Sequence, residues 1–101
     1  DIDRSRGLGD VYKRQMNVSV EITLMPLNDN YKEVIKSFII SIRNNGLKIL
    51  ENPLSTQIYG DYDKIMNLLN NRIKEIFYKN NGIMINLKIV NGDRSEYKAD
   101  F

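Results

Sequence analysis

Apolar and polar residues alternate along the chain in short stretches, which are separated by two longer stretches of helical periodicity. The clearest alternation runs from Asn17 to Leu27 and places these residues on one side: Val18, Val20, Ile22 and Leu24. A period of two is typical of a strand with one buried face. We predict further strands over 47–52, 54–59 and 83–90, the last with Ile83, Ile85, Leu87 and Ile89 on its apolar side.

Two segments between these strands carry a single apolar stripe at three- and four-residue spacing, which predicts amphipathic helices. The first follows Asn28-Asp29-Asn30, which offers N-cap side chains, and ends at Asn44-Asn45-Gly46, where Gly46 suits a left-handed cap. The second runs from Asp61, a predicted N-cap, to about Asn80. Both helices are therefore expected to bury one side only.

The order strand, helix, strand, strand, helix, strand predicts the fold class. Two right-handed crossovers in this order give an α+β, ferredoxin-like βαββαβ sandwich with an antiparallel four-stranded sheet in the order 4-1-3-2. Because each helix has one apolar stripe, we expect both helices on one face of the sheet. The other side, which we call the open face, is expected to be uncovered. This domain occupies residues 16–92, and residues 93–101 form a polar C-terminal tail.

Residues 1–15 do not share the periodicity of the domain. The stretch Asp10-Val11-Tyr12-Lys13-Arg14-Gln15 matches the in-frame translation of a sequencing-adapter end. We therefore expect a non-native, irregular leader fused to a natural start at Met16, with a native basic extension as the alternative. Without the leader, 11 basic and 10 acidic residues remain, so the domain is nearly neutral.

Composition excludes several function classes. The 101 residues contain no cysteine and no histidine, which removes the commonest metal ligands, nucleophiles and general bases. We therefore expect no catalytic residues, no metal and no cofactor. Near-neutral charge and few aromatic residues on the predicted strands argue against nucleic acid as a partner. No apolar run is long enough to span a membrane, and the first residues lack a signal-peptide core, so we expect a cytoplasmic protein.

The open face is where the strand pattern collects polar side chains from three neighbouring strands. They are Ser19, Glu21 and Thr23, then Ser55, Gln57 and Tyr59, then Asn86 and Lys88. Each has an alternative structural role. Glu21 and Lys88 are placed to form a cross-strand ion pair. The serine and threonine side chains are alternatively ordinary strand residues that face solvent or take part in packing, and Tyr59 is alternatively an anchor of a protein interface.

Two segments resemble one known family, the small thiamine-binding proteins. These are Met16–Leu27 (MNVSVEITLMPL) and Pro53–Asp63 (PLSTQIYGDYD), and the latter is similar to the family's STxxxG-(E/D)-(Y/W)-D segment. The resemblance covers Met16 to Arg94. Leu54 departs from it, since methionine is common there. The resemblance implies a non-catalytic ferredoxin-like subunit that binds thiamine or its hydroxymethylpyrimidine moiety and associates through its sheet faces into dimers or tetramers.

Together, the open face and the resemblance predict a ligand site of eight residues: Ser19, Glu21, Thr23, Ser55, Thr56, Gln57, Tyr59 and Lys88. An aminopyrimidine needs paired hydrogen-bond donors and acceptors, and a thiazolium cation favours a carboxylate or an aromatic ring. We therefore expect a homo-oligomeric thiamine binder in thiamine transport, salvage or its regulation. The alternative is a structural or regulatory oligomerisation domain without a small-molecule ligand.

Overall fold

The protein is described from a computed structural model, which covers residues 15–101. Except for Gln15, the expected non-native leader lies outside these described residues. The elements, in chain order, are β1 (Asn17–Pro26), α1 (Tyr31–Ile42), β2 (Lys48–Glu51), β3 (Thr56–Asp61), α2 (Tyr62–Lys79) and β4 (Ile83–Asn91).

The four strands form one sheet in the order β2-β3-β1-β4, and every neighbouring pair is antiparallel. This is the predicted order 4-1-3-2, and the α+β ferredoxin-like architecture is confirmed. The register places Glu21 of β1 opposite Gln57 on β3 and Lys88 on β4. Because side chains alternate along each strand, these three point to the same side of the sheet.

The core lies between the helices and the inner side of the sheet. Three isoleucines, Ile42 of α1, Ile58 of β3 and Ile65 of α2, are completely buried. The remaining buried apolar residues are Val18, Val20, Ile22, Val34, Phe38, Leu69 and Ile76. All the sheet residues in this core come from β1 and β3, so the helices cover the centre of the sheet.

The turn between β2 and β3 corrects the predicted start of the third strand. The side-chain oxygen of Asn52 accepts hydrogen bonds from the amides of Leu54 and Ser55, each at 2.9 Å. This Asx turn delays β3 until Thr56. Leu54, at the predicted start of the strand over 54–59, therefore lies in the turn and is 85% exposed.

The helix termini follow the prediction in one case and depart from it in another. Asp61 caps α2 as predicted, since its carboxylate accepts the amide of Lys64 at 3.4 Å. Asn30 makes no side-chain cap to α1, and the side chain of Asn28 accepts the Asn30 amide in an Asx turn just before the helix. Gly46 has a left-handed φ of +77° but lies beyond the C-cap of α1, so it shapes the loop rather than the helix end.

Only the first half of the predicted inner side of β4 is covered, because Ile83 and Ile85 pack against the core whereas Leu87 and Ile89 do not. Its register places Leu87 opposite Ile22 and Ile89 opposite Val20, so both residues do lie on the helix side. The helices nevertheless pack mainly against β1 and β3. Leu87 and Ile89 therefore remain 40% and 45% exposed.

The tail, residues 93–101, corrects the expectation that the open face is bare. The hydroxyl of Ser19 on β1 donates to the carbonyl of Gly92 and accepts from the amide of Arg94, both at 2.8 Å. Farther along, Glu96 pairs with Lys48 of β2 at 2.7 Å. Because these anchors lie on different strands, the tail crosses the open face from β4 towards β2.

Candidate functional site

A groove of about 450 Å³ lies between the tail and the open face. Its floor consists of strand residues and its wall of tail residues. The floor residues are Ser19, Val20, Glu21, Leu50, Gln57, Tyr59, Lys88 and Val90, and the wall residues are Arg94, Ser95 and Tyr97. This volume lies in the range of small-molecule sites, about 300–1,000 Å³. The feature is thus the concave part of an otherwise flat sheet.

Glu21 occupies the centre of the groove floor. One carboxylate oxygen accepts the hydroxyl of Ser55 at 3.1 Å, and the other lies 3.8 Å from the Lys88 ammonium. The side chains of Lys88 and Glu21 are 73% and 42% exposed, so their attraction is strongly screened. The carboxylate is therefore oriented by Ser55 while keeping acceptor capacity for a ligand.

Gln57 and Tyr59 form the next part of the floor, on β3. The Tyr59 hydroxyl donates to the side-chain oxygen of Gln57 at 2.8 Å. This bond fixes the orientation of the Gln57 amide, whose nitrogen is a hydrogen-bond donor. The floor therefore presents an amide donor, a carboxylate acceptor and an aromatic ring within one groove.

Ser19 holds the start of the tail, which forms the groove wall, against β1. Its hydroxyl donates its proton to Gly92 and accepts from Arg94, which leaves little capacity for a ligand. The residue is buried, so these bonds are partly shielded from water. Ser19 lines the groove, and its two hydrogen bonds give it a positioning role towards the tail.

Removing this hydroxyl should release the start of the tail. We expect Ser19→Ala to leave the Arg94 amide and the Gly92 carbonyl without their partner, at a local cost of about 1–3 kcal/mol. Amide hydrogen exchange at Arg94 should accelerate accordingly. Thr23→Ala is the matched control, because it removes a hydroxyl from the same side of the same strand; equal protection of Arg94 in both variants would contradict this role.

Three predicted site residues lie away from the groove. Thr56 pairs with Ile22 and is buried on the helix side of the sheet. Thr23, Ser55 and Thr56 line a smaller cavity of about 120 Å³ beside the β2–β3 turn. Ser55 still reaches the groove through its hydrogen bond to Glu21. The groove thus brings together five of the predicted residues: Ser19, Glu21, Gln57, Tyr59 and Lys88. Ser55 contacts this group through Glu21, whereas Thr23 and Thr56 lie outside the groove.

Sequence reasoning missed two kinds of groove residue. Leu50 faces Gln57 and Val90 faces Ser19, so strand alternation carried the signal for both. Arg94, Ser95 and Tyr97 lie in an irregular segment without periodicity, and their position depends on contacts with distant strands. The sequence around these wall residues therefore contains no local pattern from which their position could be predicted.

The electrostatics of the groove are mixed. Glu21 supplies a negative charge, whereas Lys88 and Arg94 supply positive charges. Within the tail, Glu96 accepts a hydrogen bond from Lys48, and this bond raises the pKa of Lys48. Among residues 15–101, no group of three or more histidine, cysteine, aspartate or glutamate side chains is placed to hold a metal ion. In the same part of the chain, no helix is long and apolar enough to cross a membrane.

Solved structures with the same fold come from bacteria and archaea. A Thermotoga maritima protein with the provisional description thiamine biosynthesis/salvage protein has a TM-score of 0.69 and 23% identity, over 75% of this chain and 84% of that one. A Streptococcus pneumoniae protein has a TM-score of 0.71 and 21% identity, over 77% and 89%. A hypothetical protein of Methanocaldococcus jannascii has a TM-score of 0.64 and 21% identity, over 81% and 84%. At these identities the likeness establishes the fold.

The sequence comparisons give the family. No curated protein sequence matches this chain. The profile of the thiamine-binding protein family, in contrast, matches residues 20–100, which is most of the chain. The match includes every groove residue except Ser19, and it extends through the tail. The chain therefore belongs to the thiamine-binding protein family.

Proposed function

We propose that this protein is a non-catalytic binder of thiamine or a hydroxymethylpyrimidine-type moiety, and that the ligand occupies the groove. One observation carries the proposal: within the family match, Glu21 lies at the centre of a groove of small-molecule size with an oriented carboxylate. The biological setting that we propose is thiamine transport, salvage or its regulation.

The groove offers complementary chemistry for both parts of thiamine. The exocyclic amine of the aminopyrimidine donates to the Glu21 carboxylate, and a ring nitrogen accepts from the Gln57 amide. The thiazolium cation is favoured by the same carboxylate and by the face of Tyr59. The ammonium of Lys88 opposes a cation, but Glu21 lies 3.8 Å away and offsets that charge. Glu21 is therefore the residue on which recognition depends most.

We also propose that the working form is a homo-oligomer in which a second subunit covers the open face. Small-molecule sites bury most of their ligand, whereas this groove is open on the side opposite the sheet. Apolar side chains on the open face, Leu50, Met84 and Val90, are exposed and supply area for such a contact. Covering them would shelter the ligand.

The alternative function is a structural or regulatory oligomerisation domain without a small-molecule ligand. The observation that favours it is that the hydroxyls of Ser19 and Ser55 already have partners within the chain. In that case the polar groups of the open face serve the tail and the subunit contact. The two functions differ in whether the groove responds to added ligand.

Calorimetric titration with thiamine and with hydroxymethylpyrimidine tests the proposal directly. We expect saturable heat with at least one of the two and a matching rise in the melting temperature, because a ligand that binds only the folded state stabilises it. A titration with the isolated thiazolium alcohol is the control for the cationic half. Absence of heat and of a thermal shift with both pyrimidines at millimolar concentration would overturn the proposal and favour the oligomerisation domain.

A further inference from the structure

Helix α1 carries more apolar surface than the core of the domain uses. Its buried residues, Val34, Phe38 and Ile42, follow one another at four-residue spacing along one side of the helix. Ile40 comes two residues after Phe38, which places it about 200° around the helix axis, nearly opposite the core. Its side chain is accordingly 54% exposed. Burial in the core therefore does not account for an isoleucine at this position.

Ile40 is part of a depression on the outer side of α1, which we call the α1 cleft. The α1 cleft measures about 450 Å³ and extends along about three turns of the helix. Its lining residues are Lys32, Ile35, Lys36, Ile39, Ile40 and Arg43. Ile35 and Ile39 are half-buried, and they also line the small cavity beside the β2–β3 turn, where Leu54 is exposed. The apolar part of the α1 cleft therefore continues to the turn, which bounds it on one side.

Positive charge surrounds the isoleucines of the α1 cleft. Arg43, at the end of the helix, pairs with Glu51 at 2.6 Å. Among residues 15–101, in contrast, neither Lys32 nor Lys36 has an acidic side chain within ion-pair distance, and Glu33 does not line the cleft. Two lysines four residues apart repel each other and weaken a helix slightly. The chain thus leaves two neighbouring positive charges beside an exposed apolar surface without a counter-charge.

We propose that the α1 cleft binds an acidic amphipathic helix of a partner protein. Apolar side chains of the partner, at three- and four-residue spacing, pack against Ile35, Ile39 and Ile40. Aspartate or glutamate residues beside that apolar stripe pair with Lys32 and Lys36. The partner thereby covers the apolar surface and supplies the missing negative charge. This interaction goes beyond the proposed binding of thiamine and does not depend on it.

The shape of the α1 cleft favours a protein segment over an anionic membrane. A membrane attracts basic side chains at its surface by about 1 kcal/mol each, so two unpaired lysines supply little attraction. Ile35 and Ile39 are half-buried inside a concave surface, which a flat bilayer contacts poorly. A single helix, about 10 Å wide with its side chains, can lie along such a cleft.

The α1 cleft and the groove lie on opposite sides of the sheet. The groove occupies the open face around Glu21, whereas α1 covers the other face through its buried side. A second subunit on the open face would therefore leave the α1 cleft accessible. The protein can thus hold a ligand on one side and a partner helix on the other at the same time.

Fluorescence anisotropy with a synthetic peptide tests the proposal. The probe is a labelled amphipathic peptide of about 18 residues, or five helical turns, with leucines at three- and four-residue spacing and glutamates beside them. We expect saturable binding at micromolar concentration that weakens with added salt. The same peptide with lysine in place of every glutamate should not bind. Absence of saturable binding of the acidic peptide, or equal binding of both peptides, would overturn the proposal.

Charge reversal tests the two lysines. The double variant Lys32→Glu/Lys36→Glu should weaken the acidic peptide by at least about tenfold and should bind the lysine peptide instead. Lys64→Glu/Lys74→Glu is the matched control, because it makes the same change in charge at two exposed residues of α2. An equal loss in the two double variants would mean that net charge alone attracts the peptide, and it would refute the site.

A substitution at Ile40 tests the apolar half of the contact. Ile40→Asp should abolish peptide binding with an unchanged circular dichroism spectrum, because the side chain is exposed. Tyr78→Asp, at an exposed side chain on α2, is the control and should bind normally. Binding of phosphatidylserine vesicles without binding of the acidic peptide would replace the partner helix by a membrane and overturn the proposal. Thiamine titration of the same variants should be unchanged, so it reports the proposed function separately.

Discussion

Glu21→Gln is expected to weaken thiamine binding by about 10- to 100-fold, which corresponds to losing hydrogen bonds to a charged group worth about 1.5–3 kcal/mol. The substitution removes the negative charge at the centre of the groove and keeps the size of the side chain. It also replaces one acceptor oxygen by a donor, which opposes the exocyclic amine of the pyrimidine. Calorimetric titration measures the loss.

The fold should tolerate this change. The Gln side-chain oxygen can still accept from Ser55, and the ion pair with Lys88 is long and exposed, so little stability is lost. Glu33→Gln, in the first turn of α1 and away from the groove, is the matched control and should bind thiamine normally. Equal affinity of the two variants would contradict a ligand role for Glu21.

Comparing thiamine with hydroxymethylpyrimidine distinguishes the effect of the Glu21 charge from the effect of its hydrogen bonds. Hydroxymethylpyrimidine lacks the thiazolium cation, so the Glu21 carboxylate contributes to its affinity only through hydrogen bonds. We therefore expect Glu21→Gln to weaken thiamine more than hydroxymethylpyrimidine. An equal loss for both would mean that the cation is recognised elsewhere, for example by Tyr59.

Ile58→Ala is expected to lower the free energy of unfolding by about 2–5 kcal/mol, the range for truncating a buried isoleucine to alanine. Ile58 is completely buried on β3, between Val20 of β1 and Ile49 of β2. The surrounding strands are hydrogen-bonded on both sides of it and have little freedom to close the cavity. Urea unfolding followed by circular dichroism gives the change.

Ile40→Ala is the matched control, because it removes the same groups from a side chain that is 54% exposed on α1. Its effect should be small, since surface substitutions usually change stability by about 0.5 kcal/mol or less. Domains of this size are stable by about 5–15 kcal/mol, so the Ile58 variant should melt at a visibly lower temperature. Similar midpoints for the two variants would contradict the assignment of the core.

The sequence predicted the sheet well because alternation is long in β1 and β4 and because the order of elements leaves few topologies. Glu21, Gln57 and Lys88 could be placed side by side on that basis alone. The start of β3 was wrong because the Asx turn at Asn52 decides it, and a side-chain hydrogen bond of this kind leaves no periodic signal.

The position of the groove wall could not be predicted from the sequence, for a different reason. Arg94 and Tyr97 lie in a polar stretch that could follow β4 in many directions. Its path depends on Ser19, more than seventy residues earlier in the chain, and on the pairing of Lys48 with Glu96. Likewise, alternation placed Leu87 and Ile89 on the correct side of the sheet but carried no information about which strands the helices would cover.

The anchoring of the tail has a consequence for how fast a ligand enters and leaves. The wall is held to the sheet by the hydrogen bonds that Ser19 donates to Gly92 and accepts from Arg94 and by one exposed ion pair, whereas the floor is held by the whole core. Detaching the tail therefore costs much less than unfolding the domain. A ligand that touches the wall loses those contacts when the tail detaches, so we expect loss of the Ser19 hydroxyl to shorten the residence time in the groove while the sheet stays folded.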